Sequence, residues 1–80
     1  MVLEIITPEQ NVFQGEVDAV FLPGKVGRFE LLKDHAPMVS TLKDGALVYA
    51  IGNKKESIEI GGGVLQVINN KVLVLAETVI

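Results

Sequence analysis

The apolar residues of this chain hold no helical spacing. They recur at every second position or gather in short continuous runs, the longest being residues 46–51 and 72–76. Both patterns mark strands, and a buried helix needs a longer run than either. Candidate strands cover residues 2–7, 12–14, 17–22, 28–32, 38–42, 46–51, 56–60, 64–68 and 72–78. Turn chemistry separates them. Pro8-Glu9 suits the early corner of a type I turn, and Pro23-Gly24 suits type II, with glycine at the positive-φ position. Lys43-Asp44-Gly45 and Gly52-Asn53 read as hairpin loops. Asn69-Asn70 suits a two-residue hairpin, because asparagine tolerates positive φ. Gly61-Gly62-Gly63 breaks any helix and fits a bulge or corner. Short strands at roughly 8–12-residue spacing predict an all-β, two-layer β-sandwich of about eight to ten short, mainly antiparallel strands. Residues 1–80 leave room for one domain.

Such a short chain buries only about 60–65% of its unfolded surface, so its core must be dense. A hydrophobic content of 49% supplies that core and excludes the disordered class. With no cysteine, disulfides and thiolate zinc sites are ruled out, and a reducing compartment fits. A net charge of −3 without a Lys/Arg cluster argues against nucleic acid as partner. No apolar run approaches the roughly 18 residues of a membrane span. Met1-Val2-Leu3-Glu4 lacks the basic start of a secretory signal. The chain reads as soluble, on the cytoplasmic side, and able to dock on a membrane assembly. Several strands are apolar on both faces: Val20 and Leu22 oppose Val17, Ala19 and Phe21, and Val64 and Ile68 share a face with Gln66. Either ordinary apolar surface or a partner-covered outer face accounts for the surplus.

Catalytic equipment is sparse. His35 is the one histidine, and its neighbour Asp34 points to the opposite face of an extended chain. No cysteine or strained serine elbow offers a nucleophile, since Ser40 and Ser57 lie inside expected strands. A turn or interface role for His35 therefore outranks catalysis. The acidic residues are scattered singly, without metal-site spacing, so no metal is expected. Gly24-Lys25-Val26-Gly27 has the wrong spacing for a phosphate loop, and no helix follows it. Lys25, Arg28 and Lys33 form either a solvated rim or one that meets an acidic partner surface.

Taken in order, several short segments resemble the N-terminal β-sandwich of F-type ATP synthase epsilon subunits. They are Ile5-Ile6-Thr7-Pro8-Glu9, Val12-Phe13-Gln14-Gly15-Glu16-Val17, and Pro23-Gly24 with Gly27, Phe29 and Leu32. His35-Ala36-Pro37-Met38-Val39-Ser40, Leu42-Lys43-Asp44-Gly45, Gly61-Gly62-Gly63-Val64-Leu65 and Val72-Leu73-Val74-Leu75-Ala76-Glu77 complete the match. Two departures stand out. Lys33-Asp34 replaces the Pro-Gly that family members often carry before the histidine. Family members also commonly continue into a C-terminal helical hairpin, which restrains ATP hydrolysis in some and binds ATP in some. The chain ends before such a hairpin, so its inhibitory role and nucleotide site are not carried over.

The resemblance implies a non-catalytic rotor subunit with no cofactor, no small-molecule substrate and no metal. It would couple the membrane ring of c subunits to the gamma subunit during proton-driven (or sodium-driven) ATP synthesis. The complex would place it peripherally on the cytoplasmic face of a bacterial inner membrane. By motif position, Val26, Gly27, Arg28 and His35 should face the c-ring. Met38, Ser40 and Leu42, with an outer face near Val20 and Leu22, should face gamma. The alternative is a lipoyl- or biotinyl-type carrier domain. It needs a lysine exposed at a hairpin tip, and Asn69-Asn70-Lys71 is the nearest equivalent.

Overall fold

Nine strands carry the regular structure of the computed structural model, which describes residues 1–80. They are β1 (Val2–Ile6), β2 (Asn11–Glu16), β3 (Ala19–Gly24), β4 (Gly27–Leu32), β5 (Met38–Leu42), β6 (Gly45–Ile51), β7 (Lys54–Ile60), β8 (Gly63–Ile68) and β9 (Lys71–Ala76). Every expected strand is present, with ends shifted by no more than two residues. Hydrogen-bonded neighbours run β2-β1-β9-β8-β5-β3-β6-β7, and β4 pairs with β3 off this path. All pairs are antiparallel except β1 with β9. β5 and β3 meet at one residue pair, Gly24 with Leu42. The sheet folds over at that joint, setting β2-β1-β9-β8-β5 against β4-β3-β6-β7.

The core forms where the two layers face each other. Leu3, Ile5, Leu65, Val72 and Val74 from one layer meet Val20, Leu22, Leu31, Leu47 and Ile60 from the other. Alternation is cleanest in β8, where Gly63, Leu65 and Val67 are buried and Val64, Gln66 and Ile68 are exposed. That is the period-2 pattern of a strand with one face in the core. At the open side the Phe13 and Tyr49 rings pack with centroids 4.3 Å apart, tying β2 to β6.

The turns show how local chemistry sets register, and where it misleads. Asn69 and Asn70 take φ of 50° and 59°, and Ile68 pairs with Lys71. This is the expected two-residue hairpin, with both central residues left-handed. Gly52-Asn53 likewise closes a hairpin, between Ile51 and Lys54. Lys43-Asp44-Gly45 does not: it joins β5 to β6, which meet the same edge of β3 at different points along it and do not pair with each other. Pro23-Gly24 is a second correction: both belong to β3, and the turn lies at Lys25-Val26, closed by Gly24 opposite Gly27. Proline fits this strand because its carbonyl accepts the Lys43 N–H (2.9 Å) on the side away from β4. Its missing N–H falls on that same side, where β3 leaves β6 and joins β5, so no ladder bond is lost.

Burial, and to a lesser degree the Glu56 carboxylate opposite it, raises the pKa of the Tyr49 hydroxyl. A phenol whose folded pKa lies above its unfolded value stabilises fully below the unfolded value. That stability is lost as pH rises through the folded value. Urea unfolding should therefore show stability falling at alkaline pH, above about 10. Tyr49→Phe should flatten that decline, leaving only the part due to other groups.

Candidate partner-binding surfaces

β4 pairs with β3 and carries no strand on its other edge. Arg28, Glu30 and Leu32 are exposed along it, while Phe29 and Leu31 turn inward. One end of this flank is the Lys25-Val26 turn, with Val26 fully exposed and Gly27 at φ 142°. Glycine also admits the tight closure. A Cβ on Gly24 would lie 2.6 Å from the Gly27 carbonyl oxygen and 2.7 Å from the Phe29 ring.

The other end is the loop from Lys33 to Pro37. The His35 N–H donates to the Leu32 carbonyl at 3.3 Å, and His35 Nδ1 lies 2.7 Å from the Ala36 carbonyl oxygen. A carbonyl only accepts, so Nδ1 carries a proton and Nε2 points away from this contact. Asp34, at φ 65°, is tied to the Asn69-Asn70 turn. Its N–H donates to Asn70 Oδ1 at 2.6 Å, and Asn70 Nδ2 donates back to Asp34 Oδ1 at 2.7 Å. Val26-Gly27-Arg28 and His35 thus stand at opposite ends of β4, about 17 Å apart at 3.3 Å per residue.

β5 presents a different surface. Met38 and Ser40 are half-buried and Leu42 is buried, whereas Val39 is 73% exposed and Thr41 is exposed. Val20 and Leu22 are fully buried. The outward face expected for them is inverted: Val20 and Leu22 enter the core, and Phe21 faces out under the Lys55 ammonium, 5.3 Å from its ring centroid. A strand apolar on both faces carries no pattern to say which side is inward. Val20, Leu22 and Leu42 therefore support the surface from beneath. Sequence reasoning also missed the row Val64, Leu75 and Ile6, directly paired across β8, β9 and β1. Val64 and Leu75 are exposed and Ile6 is half-buried. Alternation already put Val64 on an outer face, and the register adds its neighbours.

The His35 ring is engaged at Nδ1 by its neighbour's carbonyl. Nor does Lys71 stand free at a hairpin tip, as a carrier lysine would. It lies in β9, paired with Ile68 and Val2, and its Nζ is 3.2 Å from Glu4 Oε1. No helix is long and apolar enough to cross a membrane.

Residues 1–80 match the family described as "ATP synthase, Delta/Epsilon chain, beta-sandwich domain". The chain belongs to this family. An ATP synthase epsilon chain from Anaeromyxobacter sp. (strain Fw109-5) is 42% identical over 78 residues, covering 98% of this chain and 59% of that protein. One from Chlorobium limicola is 41% identical over 78 residues, covering 96% and 89%. The chain thus spans about three fifths of the length of several of its relatives. A chain in the Euglena gracilis mitochondrial ATP synthase (OSCP/F1/c-ring, rotational state 1) superimposes with a TM-score of 0.93. It is 23% identical, and the match covers all of this chain and 52% of that one. Among the segments that carry the resemblance, three fall on the β3–β4 tip, the His35 loop and β5, the surfaces described above.

Proposed function

We propose that residues 1–80 act as one non-catalytic domain in the rotor of an F-type ATP synthase, coupling a membrane c-ring to the gamma subunit. The observation that carries this reading is the family match over the whole chain. A sandwich presenting contact surfaces suits that role, because torque is passed on through complementary contact. In a bacterial complex of this kind the domain would lie peripherally on the cytoplasmic face of the inner membrane.

In this reading the β4 flank faces the ring. Its tip, Val26-Gly27-Arg28, and His35 at the far end touch the ring together when β4 lies along it. The β5 surface faces gamma through Val39 and Thr41, with Met38 and Ser40 partly reachable and Val20, Leu22 and Leu42 holding the strand in place. Gamma binding is measured by pull-down and titration calorimetry with purified gamma subunit. Val39→Glu is expected to weaken it by about tenfold or more, because it buries a charge in a contact. Arg28→Glu should leave gamma affinity within about twofold and reduce association with c-ring in detergent. Absence of gamma binding by the unaltered chain would sink the reading. Loss of gamma binding in Arg28→Glu alone would reverse the assignment of the two surfaces.

A further inference from the structure

The segment that holds His35 is fastened from a distance. Asp34 occupies the left-handed region at φ 65°, which a residue with a Cβ adopts reluctantly. Two hydrogen bonds hold it there, both to the side chain of Asn70, 36 positions away in the sequence. Asn70 is itself firmly placed. It is the second central residue of the β8–β9 turn at φ 59°, and its carbonyl accepts the Val2 N–H at 2.9 Å. One residue therefore joins the β8–β9 turn, the start of β1 and the His35 loop.

We propose that Asn70 is the positioning residue for His35. Its carboxamide replaces the conformational freedom of a glycine at position 34 with a two-point anchor, which fixes the direction in which the imidazole is presented. A carboxamide is suited to this because it donates and accepts at once, matching the Asp34 N–H and carboxylate together. The hydroxyl of serine or the carboxylate of aspartate cannot supply both bonds in that geometry. The two anchored backbones then behave as one body, and the loop carries little freedom to lose when a partner binds. The functional half of this proposal rests on His35 being a contact residue, as proposed above.

The test uses the chain of residues 1–80. Asn70→Gly removes the side chain and keeps a residue that accepts φ 59° in the turn. Hydrogen exchange of the Asp34 amide should accelerate by about tenfold, the effect of losing two exposed hydrogen bonds, while the β8 and β9 amides stay protected. The imidazole nitrogen shifts of His35 should move towards those of a free histidine. Adding Asp34→Gly to that variant should restore the His35 shifts, because glycine holds the left-handed conformation unaided. A merely structural Asn70 would not be rescued at position 34. An unchanged Asp34 amide in Asn70→Gly, or a double variant no closer to the unaltered chain than the single, would overturn the anchor. The same variants are titrated against gamma subunit and detergent-purified c-ring. Weakened binding to one of them in Asn70→Gly, restored in the double variant, supports His35 as a contact. Changed exchange with unchanged binding to both would overturn that contact while leaving the anchor standing.

Discussion

Gly63→Ala should destabilise the domain by about 3 kcal/mol, measured by urea unfolding. Gly63 opens β8 at φ 152°, opposite Ala76. A Cβ there would lie 2.5 Å from the Leu75 carbonyl oxygen and 3.0 Å from the Ala76 Cα. Both atoms are backbone, so no side-chain rotation relieves the clash, and β9 must shift against β8. A domain of this length has about 4–12 kcal/mol in total. The change should therefore remove a large fraction of it. Gly52 is also left-handed (φ 58°), but a methyl group there would meet no atom within 4 Å. Gly52→Ala should accordingly cost only about 1 kcal/mol. Equal losses at the two positions would mean that conformation rather than contact sets the cost at Gly63.

Leu22→Ala should cost about 2–5 kcal/mol, because it opens a cavity at a fully buried side chain between the layers. Phe21→Ala, one position away, should cost distinctly less, because its half-buried ring lies on the outer face beneath Lys55. The pair tests which face of β3 is inward. The opposite ranking would mean that β3 is flipped by one residue.

Much of the architecture was legible in the sequence because it depends on near neighbours. Alternation located the strands, and Asn69-Asn70 declared its own turn. Pro23-Gly24 misled because a proline two residues before the chain reverses looks like the corner itself. Its tolerance within β3 depends on the joint with β5, where its carbonyl accepts from the Lys43 N–H and no ladder bond calls for the N–H that proline lacks. The face of β3 was illegible for a different reason: with Val20, Phe21 and Leu22 all apolar, only the opposing layer decides. The region around His35 was visible as a place of contact chemistry only in outline, since the residue that shapes it, Asn70, belongs to a distant hairpin.

The parallel pairing of β1 with β9 has a consequence for how the domain comes into being. β1 leaves a ribosome before the other eight strands, yet its neighbour on one side is Lys71–Ala76. Until that segment emerges, β1 and β2 form a hairpin whose β1 edge lacks its partner and whose apolar face is uncovered. A two-stranded hairpin is marginal alone. The layer built on β1 can therefore close only late in synthesis, and folding should be slow for the domain's size, as in other folds dominated by distant contacts.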